Sequence, residues 1–338
     1  MVKYLFLILL TLLSGCTTDF SGSQGPEESV YIRFSSYADV KADVEEASYA
    51  QRQSTRSDNL ATEQMVGILG IAANEETMDE VSLVGHDATS LRKWMQNDVY
   101  YRNPATGAVA RTDGQCPTFP IDEESAIVAY AYMPYTDRVV YGADDCYIQL
   151  DLMADSATTD WTYSGHTAMS KAEYLKEGTF ALDSFKHAMT CLEIVVDTPK
   201  IDKMYNTKVR ILEIDLGVRN HGKGRLSLVD GTVTMDAAEN PDSIYRLQRK
   251  PNTELSIYSQ VKSSTETFYL MPYTEIHDLR VVGLWYDVHN SPTDTICYEY
   301  VIADSAKWNT ANLHPGAVSR LKLKSIKNKA NINEETHL

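Results

Sequence analysis

Short runs of alternating apolar and polar residues constrain the fold of this chain more than any other feature. Val30, Ile32 and Phe34 alternate with more polar neighbours, which is the pattern of a half-buried strand. Residues 65–72 form a dense apolar run with two glycines, typical of a buried strand. Further strands are predicted at 79–84, 126–133, 147–152, 189–196, 208–216, 225–229, 267–271, 279–286, 295–302 and 317–324.

Turn residues and the scarcity of helical patterns indicate the fold class. Dipeptides such as Asp230-Gly231 separate many of the predicted strands. Only residues 169–177 predict a short helical turn, and residues 38–63, rich in Ser, Asp, Glu and Gln, predict a long exposed loop. Many short strands with such turns predict an all-β fold built from β-sandwiches.

The N-terminus carries an export signal. Lys3 precedes an apolar stretch from Tyr4 to Leu13, which is too short to span a bilayer as a mature helix. The sequence Leu13-Ser14-Gly15-Cys16 that ends it resembles the lipobox of bacterial lipoproteins. This resemblance implies cleavage before Cys16 and attachment of diacylglycerol to its thiol; an ordinary cleaved signal with a chance cysteine is the alternative. Residues 1–15 are therefore interpreted as a signal peptide, and residues 16–28, rich in Ser, Gly, Pro and acid, as a flexible tether.

Charge excludes one class of partner. The formal net charge is −16, and no basic cluster interleaved with aromatic residues is present, so nucleic acid is excluded as a partner. An anionic membrane surface would also repel the chain, which leaves the lipid on Cys16 to attach it to the outer membrane.

The remaining cysteines do not form a metal site. None of the five cysteines lies in a CxxC or other metal-ligand spacing. Cys191 and Cys297 lie in apolar strand patterns and are interpreted as small core residues. A disulfide between Cys116 and Cys146 is an open option in an exported chain.

Several short motifs, in a fixed order behind the lipobox, resemble the fimbrillin family, the lipoprotein subunits of type V pili. They cover nearly all of the mature chain: Thr55-Arg56-Ser57 before the run at 65–71, Met95-Gln96-Asn97 before Tyr100-Tyr101, Phe119-Pro120, Ala129–Pro134, Asp151–Ala154, Phe185–Met189, Gly224–Val229, Leu270-Met271-Pro272 and Leu313–Gly316.

The resemblance implies two transthyretin-like β-sandwich domains in tandem after the signal peptide. They would occupy residues 29–180 and 181–326, with Phe185–Val196 as the opening strand of the second domain and a polar tail at 327–338. It implies no catalytic site, no metal and no cofactor. It also implies assembly with other fimbrillin-family subunits by strand donation: a protease cuts after an arginine in the first loop, and a strand of another subunit fills the groove that the first strand leaves. Arg56, and less well Arg52, are in position to be that arginine.

The C-terminus departs from a shaft subunit. Beyond Leu323, aliphatic residues are sparse and separated by Lys and Asn, so this segment would fill successive pockets poorly. This favours an anchor, tip or accessory subunit at the cell surface, acting in adhesion. The alternative is a monomeric surface lipoprotein that binds a host glycan or glycoprotein receptor.

Motifs of enzymes are absent from the sequence. There is no GxSxG, HExxH, P-loop or GxGxxG after a strand. The eight histidines are scattered singly, and His187 is interpreted as a strand-end histidine with a structural hydrogen bond. Trp285 is predicted to lie in the core, whereas Trp161, in a polar stretch, is the better candidate for a surface sugar platform.

Overall fold

The computed structural model describes residues 30–36, 64–120, 125–153, 158–197, 206–219, 221–236, 243–256, 263–287, 289, 291–301 and 313–323. Within these ranges the chain forms twenty β-strands and one short helix, which confirms the predicted all-β class. The chain divides into two compact units: residues 1–149, 161–186 and 226–232 form the first, and residues 150–160, 187–225 and 233–338 the second. The domain boundaries expected from the sequence stay a prediction.

The first half of the chain contains ten strands and the helix. In chain order they are β1 (Phe34–Ser35), β2 (Met65–Asn74), β3 (Gln96–Arg102), β4 (Ala108–Arg111), β5 (Ser125–Met133), β6 (Val139–Tyr141), β7 (Cys146–Asp151), β8 (Thr162–Ser170), α1 (Lys171–Glu177), β9 (Phe180–Ala181) and β10 (Lys186–His187).

The first unit is built on an eight-stranded sheet. Its order is β10-β8-β5-β2-β3-β4-β1-β9, so β1 lies between β4 and β9 near one edge. The central strand β5 is buried along nearly its whole length and β2 is buried from Val66 to Ile71, because apolar side chains cover both faces there. The core on one face includes Ile32, Phe34, Val66, Ile68, Met95, Tyr100, Val109, Phe119, Ile127, Tyr174, Phe180 and Leu182.

Two glycines in β2 allow large side chains to cross it. A Cβ atom on Gly67 would lie 2.3 Å from the ring of Tyr132, and one on Gly70 would lie 2.0 Å from the methyl group of Met95. The glycines that the sequence shows inside this buried strand are therefore explained by close packing rather than by a turn.

The second half of the chain contains ten further strands. They are β11 (Thr190–Asp197), β12 (Asn206–Arg219), β13 (Lys223–Ser227), β14 (Val233–Met235), β15 (Tyr245–Arg249), β16 (Thr253–Ser256), β17 (Ser263–Leu270), β18 (Glu275–Asp287), β19 (Pro292–Val301) and β20 (Val318–Leu323).

The second unit is a sandwich of two sheets. One has the order β17-β11-β20, and the other has the order β15-β12-β18-β19 with β16 also paired to β12. Side chains of both sheets form one core, which includes Leu192, Ile194, Val196, Val209, Ile211, Ile214, Leu216, Phe268, Leu279 and Val281. A bulge between Ile211 and Glu213 explains why the buried residues of β12 are three apart there instead of two.

Two sequence expectations are wrong. Residues 79–84 form turns and irregular backbone instead of a strand, although Leu83 is fully buried. The reason is that Ser, Asp and Glu surround the apolar side chains, so Leu83 packs as a single anchor. The predicted strand at Phe185–Val196 is broken between β10 and β11, at Ala188 and Met189.

Candidate functional site

The segment Val30–Ser36 occupies a groove in the first unit. Its strand β1 pairs antiparallel with β4, where Phe34 lies opposite Val109, and parallel with β9, where Phe34 lies opposite Phe180. The segment therefore lies between two short strands of the sheet. The alternating pattern at this position predicts a half-buried strand but not its neighbours.

Main-chain hydrogen bonds hold the segment on both sides. On the β4 side, the N–H of Ile32 donates to the carbonyl of Pro117 at 2.8 Å, and the N–H of Ser36 donates to the carbonyl of Gly107 at 2.7 Å. On the β9 side, the N–H groups of Phe180 and Leu182 donate to the carbonyls of Arg33 and Ser35 at 2.7 and 2.8 Å. Because these bonds involve the backbone, another strand could form them equally well.

Two side chains of the segment fill the core. Ile32 and Phe34 are 1% and 4% exposed. The ring of Phe34 meets the rings of Tyr100 and Phe180 edge-on, with centroids 5.6 and 5.3 Å apart. Arg33, between them, faces outward and is exposed. Burial of each apolar side chain contributes about 1.5–3 kcal/mol, so the two anchor the segment in its groove.

Helix α1 covers the same segment. Its N-cap Ser170 and Glu173 form a capping box, and Gly178 ends it in the left-handed conformation. The helix thereby places Tyr174 against the ring of Phe119, with centroids 5.1 Å apart. The Tyr174 hydroxyl accepts a hydrogen bond from the N–H of Arg33 at 2.9 Å.

A polar contact lies at the end of the groove. The Nε–H of Arg102 in β3 donates to the hydroxyl of Ser36 at 2.9 Å, and that hydroxyl donates to the carbonyl of Gly107 at 3.1 Å. Arg102 is 9% exposed, so its guanidinium is enclosed by the protein.

A cluster around Arg111 fixes the wall formed by β3 and β4. The guanidinium lies 4.6 Å from the centre of the Trp94 ring and pairs with Asp98 and Asp113. The hydrogen bonds from Arg111 lower the pKa of Asp113 to about 2. Burial raises the pKa of the Tyr100 hydroxyl, which donates to the carbonyl of Trp94 at 2.5 Å.

The described residues include only part of the site that the sequence predicts. Ile32 and Phe34 are buried, as the alternation predicts, and Val30 is half-buried beside them, although the strand itself covers only Phe34 and Ser35. Cys16, Arg52, Arg56 and the predicted loop at 38–63 lie outside the described residues. Arg102, Tyr174 and Phe180 were not predicted as groove residues, because an arginine in a strand and an isolated aromatic residue carry no sequence signal of such contacts.

The other sequence candidates have structural explanations. His187 forms the structural hydrogen bond that the sequence predicts: its Nδ1 lies 2.6 Å from Oδ2 of the buried Asp160. Burial raises the pKa of Asp160. Trp285 is buried in the core, as predicted, and Trp161 is half-buried. Cys146 is a buried reduced thiol, so the option of a Cys116–Cys146 disulfide is wrong. The sequence spacing left that option open because it does not show that Cys146 points into the core.

In the part of the chain that the structure describes, no group of three or more His, Cys, Asp or Glu side chains is arranged to hold a metal ion. No helix in the same residues combines the length and apolar character needed to cross a bilayer. The expected absence of a cofactor and of catalysis stays a prediction.

Comparison with known proteins gives solved structures of similar fold. No protein-family model and no curated protein matches the chain. A solved structure from Bacteroides uniformis, described as a "putative cell adhesion protein", is 13% identical, with a TM-score of 0.45 and coverage of 89% of this chain and 95% of that one. A similarly described protein from Bacteroides ovatus is 14% identical, with a TM-score of 0.40 and coverage of 81% and 87%.

A third neighbour is a named fimbrial protein. The fimbrial anchor protein Mfa2 from Porphyromonas gingivalis is 11% identical, with a TM-score of 0.32 and coverage of 87% of this chain and 89% of that one. The printed descriptions of the three structures name cell adhesion and a fimbrial anchor. At such identities and TM-scores, the similarity assigns no activity or partner to this chain.

Proposed function

We propose that this chain is a lipid-anchored, cell-surface subunit of a fimbrial assembly, which joins other subunits by exchange of its first strand and acts in cell adhesion. The observation that carries the proposal is the position of β1. It lies between two short strands, bonded to both through its backbone, with Ile32 and Phe34 buried in the core of the first unit.

Removal of this segment would create a strand-binding groove. The backbone groups of β4 and β9 that now bond residues 30–36 would lose their partners, and the pockets of Ile32 and Phe34 would open. A strand from another subunit satisfies both needs, because main-chain bonds supply affinity and alternate side chains supply specificity. Such an open edge is unfavourable until it is filled.

The sequence supplies the remaining parts of the proposal. The lipobox supports attachment of the chain to the outer membrane through Cys16, and Arg56, or Arg52, is the proposed processing site that would release the first strand. The order of the motifs supports membership of the fimbrillin family. The sparse apolar residues beyond Leu323 favour an anchor, tip or accessory subunit over a shaft subunit.

Controlled nicking of the mature chain tests the proposal. Trypsin-like cleavage near Arg56 separates the segment that contains β1 from the rest, and the thermal unfolding of intact and nicked protein is then compared. A synthetic peptide of residues 28–37 is added to the nicked sample, and a peptide with Asp at positions 32 and 34 is the matched control.

The proposal requires two results together. Once the cut segment is removed by dilution, the nicked protein unfolds at a lower temperature than the intact chain, and the native peptide, but not its Asp variant, restores the difference. If the unfolding temperature is unchanged after the cut segment is removed, residues 30–36 are a tether that does not stabilise the first unit. A monomeric receptor-binding protein would then be the better interpretation.

A further inference from the structure

The apolar side chains of the first segment do not by themselves determine its register. Side chains that are two residues apart lie on the same face of a strand, so a slip of two residues would still direct apolar groups into the core. Ile32 would then occupy the pocket of Phe34, or, for a slip in the other direction, Phe34 would occupy the pocket of Ile32. A unique register therefore requires a feature of the groove that distinguishes one inward position from the next.

Arg102 provides such a feature. Tyr100 and Arg102 are two residues apart in β3, and both are buried on the same side. Tyr100 contacts Phe34, and Arg102 donates to the hydroxyl of Ser36 at 2.9 Å. The groove thus presents an aromatic ring and then a guanidinium, and the strand that fills it presents an aromatic ring and then a hydrogen-bond acceptor.

A slipped strand would place an apolar side chain against the guanidinium. Hydrogen bonds to charged groups are stronger than neutral ones, and a buried donor that loses its acceptor is destabilising. A single buried polar contact can in this way fix the register of an otherwise apolar interface, as a buried asparagine does in coiled coils.

We propose that Arg102 sets the register of any strand that replaces β1, an inference that rests on the proposed function. The partner is a strand of another subunit with an aliphatic residue, an aromatic residue two positions later, and a side chain that accepts a hydrogen bond two positions after that. Hydroxyl groups fit this last position, and a carboxylate fits it better because it adds a charge opposite to that of the guanidinium.

Peptide exchange into the nicked chain tests this inference. Fluorescent peptides of residues 28–37 compete with the resident segment, either unmodified or with Ser36→Val, Ser36→Asp or Ser35→Val. Ser35 is the matched control because it is the same residue type one position earlier and faces the other side of the strand. We expect the Ser36→Val peptide to need a concentration at least about tenfold higher than the unmodified peptide for half incorporation. The Ser35→Val peptide should need about the same concentration as the unmodified peptide.

Register is measured directly by cross-linking. A peptide with Ser35→Cys should form a disulfide with Ala108→Cys, its opposite residue in β4, and not with Ala110→Cys. In an Arg102→Met chain, the Ser36→Asp peptide should no longer enter the groove better than the unmodified peptide. The Ser35→Cys peptide should then form disulfides with both Ala108→Cys and Ala110→Cys.

The outcomes separate the inference from the proposed function. Equal incorporation of the Ser36→Val and Ser35→Val peptides overturns the role of Arg102 and leaves strand exchange intact. If no peptide enters the groove, both the role of Arg102 and the proposed strand exchange are contradicted. If Arg102→Met prevents folding, the comparison of the Ser36→Val and Ser35→Val peptides in the unchanged chain still tests the role of Arg102.

Discussion

The backbone N–H of Arg33 donates to the hydroxyl of Tyr174 at 2.9 Å, so a helix side chain serves as a hydrogen-bond acceptor for the first strand. Tyr174 is 6% exposed and packs against Phe119, and its helix is held by caps at both ends. The Thr179 hydroxyl adds a bond to the carbonyl of Arg33 at 3.1 Å. The segment that we propose is exchanged therefore has both a sheet contact and a helix contact at Arg33.

Tyr174→Phe should weaken this hold with little change in packing. Loss of one hydrogen bond costs about 0.5–1.5 kcal/mol, and the amide of Arg33 should exchange its hydrogen faster. Tyr163→Phe is the control, since that hydroxyl donates to the carbonyl of Asp230 at 3.1 Å, away from the groove. Hydrogen exchange and release of the nicked segment are measured. Equal release rates in the two variants would show that Tyr174 does not retain the strand.

Gly67→Ala should destabilise the first unit. The added Cβ would lie 2.3 Å from the Tyr132 ring, whose single hydroxyl proton is shared between two acceptors, Asn97 Oδ1 at 2.6 Å and the carbonyl of Thr136 at 2.7 Å. The ring therefore has little freedom to move, and overpacking of this kind costs about 1–3 kcal/mol. Gly165→Ala is the matched control, because a Cβ there meets no atom within 4 Å. Denaturant unfolding should separate the two variants, and similar midpoints would contradict the steric argument.

The sequence predicts the strands well where burial follows a simple period. Val30, Ile32 and Phe34 were found by alternation, and β2 by its dense apolar run. The same reasoning failed at residues 79–84, because a single apolar side chain, Leu83, can be buried without a partner strand. The break between β10 and β11 was also missed, since apolar residues continue through it.

The groove was predictable only in part. The alternating segment itself is a local pattern, but its walls come from residues 107–119 and 180–182, which are distant in sequence. Arg102 illustrates the limit: a charged residue in a strand is normally expected on the solvent face, yet Arg102 is buried and donates a hydrogen bond to Ser36, 66 residues away. Nothing local to either residue indicates that contact.

His221 should make the second unit less stable in mild acid. Burial lowers its pKa from 6.5 to about 4, and its Nδ1 accepts a hydrogen bond from the N–H of Met271 at 3.4 Å. Between these values the unfolded chain binds more protons than the folded one, so stability is fully present above pH 6.5 and falls as the pH approaches 4. The loss from this group reaches about 3 kcal/mol.

His221→Asn should flatten that dependence, because asparagine retains an acceptor and does not titrate. His314→Asn, at an exposed position, is the control. Urea unfolding at several pH values between 4 and 7 measures the slope for each variant. The same slope in His221→Asn and in the unchanged chain would show that His221 does not cause the acid sensitivity.

Cys16→Ser should release the chain from the membrane fraction. The serine hydroxyl does not replace the thiol in lipid transfer, so labelling with radioactive palmitate should also disappear. Cys191→Ala, a change to a buried core thiol, is the control and should retain the label. A Cys16→Ser chain that remains labelled and sediments with membranes would exclude the lipobox interpretation.

Phe34→Ala should have the largest effect of the changes considered. Its ring lies edge-on between Tyr100 and Phe180, and truncation of a buried phenylalanine typically costs about 3–5 kcal/mol. Tyr31→Ala, in the same segment but 45% exposed, should cost far less. Because the lost contacts join the segment to its groove, Phe34→Ala should also accelerate release of the segment from the nicked chain. Thermal unfolding and release kinetics are measured on both variants, and a Phe34→Ala chain as stable as Tyr31→Ala would show that the groove does not depend on its aromatic pocket.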